Sequence, residues 1–144
     1  MIAIGSDHGG FEIKQHLIEW LTNNNIQFKD FGTRSTDSVD YPDFAHKVVG
    51  SIIDGESVIG ILVCGTGNGI SMAANKWRGI RAALCWNYEI SKLSREHNNA
   101  NILSLPGRFI SKEESIKILE VFLDTEFEGG RHLDRINKID PRMT

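Results

Sequence analysis

The sequence predicts an α/β protein: a doubly wound, five-stranded parallel sheet with helices on both faces and a C-terminal helical tail. Three observations carry this. Short apolar runs alternate with helix-length amphipathic segments along all 144 residues, the pattern of repeated strand–helix–strand units. The run Val58-Ile59-Gly60-Ile61-Leu62-Val63 is apolar without interruption, which suits a strand buried on both faces. It leads directly into Cys64-Gly65-Thr66-Gly67-Asn68-Gly69, a glycine-rich strand-to-helix turn on the rim where such Rossmann-like sheets collect ligands.

The elements follow in order. Met1–Ser6 is the first strand, and Phe11–Asn23 a helix with Ile13, Leu17, Trp20 and Leu21 on one face. Asn23-Asn24-Asn25 breaks that helix. Ile26–Phe31 is a second, weaker strand and Gly32–Asp40 a polar loop. Pro42 stands where a first helical turn tolerates it, and the helix continues through Phe44–Ile53 to the stop at Asp54-Gly55. After the third strand and the glycine turn, Ile70–Lys76 is helical, and Gly79–Cys85 holds the fourth strand. Asn87 caps a helix running to about His97, and Ile102–Leu105 is the fifth strand. Ser111-Lys112-Glu113-Glu114 has the order of a capping box, opening a helix whose apolar face is Ile116, Leu119, Phe122 and Leu123. Glu128–Ile139 is the charged helical tail. Without repeat, low-complexity segment or linker, residues 1–144 are expected to form one domain.

Composition narrows the function. A net charge of −3 and a pI near 5.9, with no basic stripe, disfavour nucleic acid and anionic membrane surfaces as partners. Met1–Ile4 is too short for a signal peptide or a spanning helix. Cys64 and Cys85 make no disulfide framework, so a reduced, cytoplasmic protein is expected. The five histidines and two cysteines show no metal-ligand spacing, and no metal or cofactor is expected. The glycine turn reads G-x-G-x-G, which departs from a dinucleotide fingerprint, and no Lys-Ser/Thr closes it as a P-loop.

Most cysteines are small buried hydrophobes, and Cys85 inside an apolar strand keeps that reading. Cys64, set against the glycine turn, is a candidate base. Gly65, Thr66, Gly67, Asn68 and Gly69 form a cradle suited to an oxyanion or phosphate at a helix N-terminus. Asp7 and His8, followed by two glycines, end the first strand on the same rim and are placed to touch a polar ligand. Arg131 and Arg135 share a helical face and suit a phosphate, although Glu128 and Asp134 make a solvated charged face equally reasonable. Arg108 is a weaker candidate of the same type. His16 and His46, on amphipathic helices, are read as surface or boundary residues without partners. His97-Asn98 ends the helix before the fifth strand. Because helices run antiparallel to the strands they connect, this end belongs to the rim opposite Cys64. If His97 works with Cys64, it comes from another subunit, so the expected assembly is a homodimer, or a tetramer, with a shared site.

These motifs resemble the type B ribose-5-phosphate isomerases and the related galactose-6-phosphate isomerase subunits. The likeness rests on Gly5-Ser6-Asp7-His8-Gly9-Gly10, Asp40-Tyr41-Pro42, Cys64–Gly69 with Ala73-Ala74-Asn75-Lys76, His97-Asn98-Asn99-Ala100-Asn101, and Gly129-Gly130-Arg131-His132, and so spans nearly the whole chain. It implies a metal-independent interconversion of ribose 5-phosphate and ribulose 5-phosphate, a step of the pentose phosphate pathway, through an enediolate. The resemblance makes Cys64 the general base and gives the enediolate oxygens to the N–H groups of Gly65–Gly69, with Thr66 nearby. It assigns furanose opening to His97 with Asp7, the phosphate to His8, Arg108, Arg131 and Arg135, and a sugar hydroxyl to Asn98. One branch of the family lacks the cysteine and uses an acidic residue directly after the Asn-Gly pair; here that position is Ile70, which leaves Cys64 as the base. The rival readings are an isomerase of allose or galactose 6-phosphate and a non-catalytic sugar-phosphate-binding module.

Overall fold

The computed structural model describes residues 1–142; Met143 and Thr144, at the end of the expected domain, lie outside it. Its strands are β1 (Ile2–Ser6), β2 (Phe28–Asp30), β3 (Ile59–Cys64), β4 (Ala82–Leu84) and β5 (Ile102–Pro106). They form one sheet in the order β2-β1-β3-β5-β4, and every pair is parallel. The helices are α1 (Phe11–Asn23), α2 (Tyr41–Ile53), α3 (Asn68–Ala74), α4 (Tyr88–Glu96), α5 (Lys112–Asp124) and α6 (Arg131–Ile136).

Side chains alternate across each strand, so each strand feeds two cores. Ile2, Ile4, Ile61, Val63, Leu103 and Leu105 face one side, where Ile13, Leu17 and Leu21 of α1 meet Ile118, Leu119 and Phe122 of α5. Ala3, Leu62, Cys64 and Ile102 face the other, against Ala45, Val48 and Val49 of α2 and Ile70 and Ala74 of α3. The uninterrupted apolar run of β3 is thereby explained: β3 is the central strand and is covered on both faces. Lys14 of α1 is wholly buried and pairs with both oxygens of Asp30 at 2.9 Å, which ties α1 to the end of β2. Burial pushes its ammonium below the usual lysine range, and Asp30 opposes that shift.

Local signals are realised where their chemistry is self-contained. Ser111 Oγ accepts from Glu114 N–H at 3.1 Å, and Glu114 accepts from Ser111 N–H at 3.0 Å, completing the capping box of α5. Asn87 caps α4 by accepting from Ile90 N–H at 2.9 Å. Both edge strands are shorter than expected, β2 against Ile26–Phe31 and β4 against Gly79–Cys85, because each has a neighbour on one side only. At β4, the Asn75 amide brackets Ala82, accepting its N–H at 2.8 Å and donating to its carbonyl at 2.9 Å where a further strand would pair. The tail helix is also shorter than Glu128–Ile139. Gly129 and Gly130 both have positive φ, so helix begins only at Arg131. His46, expected to lack a partner, accepts from Trp77 Nε1 at 2.9 Å. Among the described residues no helix is long and apolar enough to cross a membrane.

Candidate active site

Three neighbouring strand ends, those of β1, β3 and β5, bring their loops together. Asp7 N–H donates to the Val63 carbonyl at 3.2 Å, Gly107 N–H to Cys64 at 2.8 Å, and Arg108 N–H to Gly65 at 3.0 Å. A Cβ on Gly9 would stand 3.0 Å from Gly65 N, so the first loop lies against the glycine turn. The convergence expected from the two glycine motifs is therefore present, and the β5 loop joins it.

Asp7 is buried and spends Oδ1 on the turn that follows it, accepting from Gly9 and Gly10 N–H at 2.9 and 3.1 Å. This caps a short 3-10 turn, His8–Gly10, running into α1. Oδ2 takes no part in that cap. His8 Nδ1 accepts from Val39 N–H at 3.1 Å, which anchors the polar loop before α2 and leaves Nε2 as the edge directed elsewhere. His8 and Arg108 both line a cavity of about 580 Å³, bordered by Glu12, Thr36, Ser111 and Lys112.

Cys64 ends β3 and is 4% exposed. The turn after it is fixed by Gly67, whose φ of 78° lies in the left-handed region that favours glycine. That conformation turns the Gly67 N–H back to the Cys64 sulfur, at 3.2 Å. Asn68 N–H is likewise taken, by Thr66 Oγ1 at 3.2 Å. The cradle consequently differs from the expected row of five donors. Among the described residues, only the N–H groups of Gly65, Thr66 and Gly69 within it have no protein acceptor. Ile70, at the position held by an acid in the other branch, is wholly buried in the α2/α3 core.

Two side chains close over the turn. The Arg108 side chain lies across Gly65, so that a Cβ there would meet Nη1 at 3.3 Å and Cδ at 3.4 Å. The weaker arginine candidate is thus the one beside the cradle. Tyr41 covers Gly69, where a Cβ would stand 2.6 Å from its ring. Tyr41 carries no role in the sequence reading. The one signal for it was its place in Asp40-Tyr41-Pro42, among the motifs that carry the family resemblance.

His97, Asn98, Arg131 and Arg135 are elsewhere. His97 caps the C-terminus of α4, and Asn101 accepts from Gly60 N–H at the start of β3. Cys64 pairs with Pro106 at the other end of β5. The length of β5 separates them, roughly 13 Å at ~3.3 Å per residue. Asn98 lines a second cavity, of about 320 Å³, with Asn75, Arg81 and Ile139. Arg131 and Arg135 are exposed on α6, and neither forms an ion pair among the described residues. Beside them, His97, Glu128 and His132 present ligand atoms within 4.8 Å of one another. The two imidazoles are nearly parallel, at 14°, so their in-plane lone pairs run side by side and do not converge on one ion as arranged.

The candidate residues therefore fall into two groups on opposite rims. One holds Asp7, His8, Cys64–Gly69 and Arg108; the other holds His97, Asn98, Arg131 and Arg135. Comparison with known proteins gives this division its context. A family model described as Ribose/Galactose Isomerase matches residues 2–139. The ribose-5-phosphate isomerase B of Escherichia coli is 41% identical over 138 residues, covering 96% of this chain and 93% of that protein. The structure of a ribose 5-phosphate isomerase from Thermotoga maritima superposes with a TM-score of 0.95 at 55% identity, covering 96% of each chain. Ribose-5-phosphate isomerase B from Mycoplasma genitalium, crystallised with bound ribulose-5-phosphate, gives 0.91 at 44%, covering 96% of this chain and 92% of that one. With matches of this extent in both sequence and fold, the chain belongs to the ribose/galactose isomerase family.

Proposed function

We propose that this protein interconverts ribose 5-phosphate and ribulose 5-phosphate, in a site that two copies of the chain complete together. The observation that carries the reading is the meeting of Asp7, Cys64 and Arg108 on three adjacent strand ends, with an N–H directed at the Cys64 sulfur. Proton transfer next to a carbonyl needs a base and donors aimed at the oxygen where charge develops. Cys64 as thiolate takes the proton from C2 of the open-chain aldose. The electron pair moves to the carbonyl oxygen to form the enediolate; the thiol then returns a proton to C1 while the C2 hydroxyl proton passes to the oxygen on C1, leaving the ketone at C2. The N–H groups of Gly65, Thr66 and Gly69 are the donors left for those oxygens. His97 opens the furanose ring, with Asp7 Oδ2 on the same sugar, and Asn98 holds a hydroxyl. His8 and Arg108 take the phosphate from one chain, Arg131 and Arg135 from the other, which supplies binding energy remote from the reacting carbons.

What supports sharing between subunits is the division of these residues into two groups on opposite rims. A single chain holds them a sheet-length apart, so the rim bearing His97 serves a Cys64 only across a dimer. The test is isomerisation of ribose 5-phosphate by wild type and Cys64→Ala, followed by mixing Cys64→Ala with His97→Asn. Turnover lost in each variant and partly regained in mixed dimers supports the reading. Full turnover in Cys64→Ala overturns the mechanism, and no regain on mixing overturns the sharing. Measuring allose 6-phosphate and galactose 6-phosphate in the same assay sets the sugar length.

A further inference from the structure

His132 has no role in the chemistry above, yet its placement is tightly specified. Glu128 N–H donates to the Glu96 carbonyl at 3.0 Å, pinning the segment before α6 to the end of α4. The chain then reverses through Gly129 (φ 73°) and Gly130 (φ 59°, ψ −132°). A Cβ at either would meet nothing within 4 Å, so backbone conformation and not crowding asks for glycine there. The reversal leaves Arg131 exposed and turns His132 inward, where it is 5% exposed.

The His132 ring lies flat on that of His97, with centroids 4.3 Å apart. Glu128 Oε2 stands 3.4 Å from His132 Nε2 and 3.9 Å from His97 Nε2, facing the edges of both rings. His132 Nε2 is buried without a hydrogen-bond partner among the described residues. The charged groups around the stack are His97 from the end of α4, Glu128 from the connecting segment, and Arg131 and Arg135 from α6. Burial first, then His97 and Arg131, push His132 below the usual imidazole range, against the pull of Glu128. His132 is thus an uncharged platform under a half-exposed imidazole that otherwise projects from a helix end.

We propose that His132 is a positioning residue for His97, fixing its ring by stacking and drawing the Glu128 carboxylate to the edges of the pair. The inference rests on the reading of His97 as the ring-opening group. A flat partner on one side removes the rotations of His97 that would present the wrong edge to the sugar, and misplacement by about 1 Å costs on the order of a hundredfold in rate.

The test compares His132→Ala, which removes the platform, with His132→Phe, which keeps a flat ring. Turnover is measured from ribose 5-phosphate, largely cyclic, and from open-chain ribulose 5-phosphate. The His97 ring protons are followed by NMR, since stacking displaces them by the ring current. In His132→Ala, kcat from the cyclic sugar is expected to fall ten- to a hundredfold at nearly unchanged KM, with little loss from the open-chain sugar and with the His97 signals moved. His132→Phe is expected to restore both. If His132→Ala does not fold, Glu128→Gln, at a half-exposed side chain, is expected to give a smaller loss with the same selectivity. Wild-type turnover of the cyclic sugar in folded His132→Ala, or unmoved His97 signals, overturns the proposal, as does wild-type selectivity in Glu128→Gln. His97→Asn separates the two failures. If it too spares the cyclic sugar, the ring-opening reading itself is wrong; if it alone is selective, only the positioning role falls.

Discussion

Replacing Gly67 by alanine probes the turn that presents Cys64. At φ 78° and ψ −13°, Gly67 occupies a conformation that costs an L-residue about 1–2 kcal/mol. The new methyl would run into Leu84 Cδ1 and come within 3.1 Å of the Leu105 carbonyl group. The leucine tip can swing aside, but the β5 backbone is held in the sheet, and over-packing of this kind adds about 1–3 kcal/mol. Together these predict about 2–5 kcal/mol of lost stability, a large share of the 5–15 kcal/mol typical of a domain. If the turn shifts to relieve the clash, its N–H leaves the Cys64 sulfur and the free donors move with it. Losing one such donor costs about 10²–10³ in rate. Urea unfolding and ribose 5-phosphate turnover measure the two effects on one preparation. A variant within about 0.5 kcal/mol and threefold of wild type would refute the claim that this backbone conformation is required.

Other expectations follow from particular environments. Burial pushes the Cys85 thiol up to about 11, so on the order of one in a thousand is thiolate at pH 8. Iodoacetamide followed by peptide mapping should label Cys64 in the native protein and Cys85 only after unfolding; comparable native rates contradict this. Asp30→Ala strands the wholly buried Lys14 ammonium and should cost about 3 kcal/mol in urea unfolding, and a cost under about 1 kcal/mol contradicts the pairing. Because His132 is held below its unfolded pKa of about 6.5, the unfolded chain binds the extra proton as pH falls below that value. Its stabilising contribution is present above pH ~6.5 and lost below it. Wild type should therefore lose more unfolding free energy between pH 7.5 and 5 than His132→Phe, and equal slopes count against a neutral buried imidazole.

The parts legible in the sequence are those whose physics is local. The capping box at Ser111 and Glu114 involves atoms three residues apart, and the unbroken apolar run of β3 reports burial on both faces directly. The edge strands were less legible because pairing depends on a neighbour far away in the chain. Asn75, seven residues upstream, occupies the free edge of β4 at Ala82. The same contrast holds in the site. Asp7, His8 and Cys64–Gly69 sit at strand ends that the alternation of elements locates. Arg108 across Gly65 and Tyr41 over Gly69 depend on how three loops meet, and no spacing in the sequence encodes that meeting.

By itself, the sequence determined the parallel α/β architecture, the rim on which Cys64 stands and the opposite rim for His97. Each follows from strand polarity and the antiparallel return of a connecting helix. Tertiary structure alone decided which donors of the cradle stay free, since the left-handed Gly67 turns one N–H to sulfur and Thr66 claims another. It also decided that Arg108 belongs with Cys64, while Arg131 and Arg135 belong with His97. The reason is geometric: α6 starts where two glycines reverse the chain beside the end of α4, and that reversal lays His132 on His97.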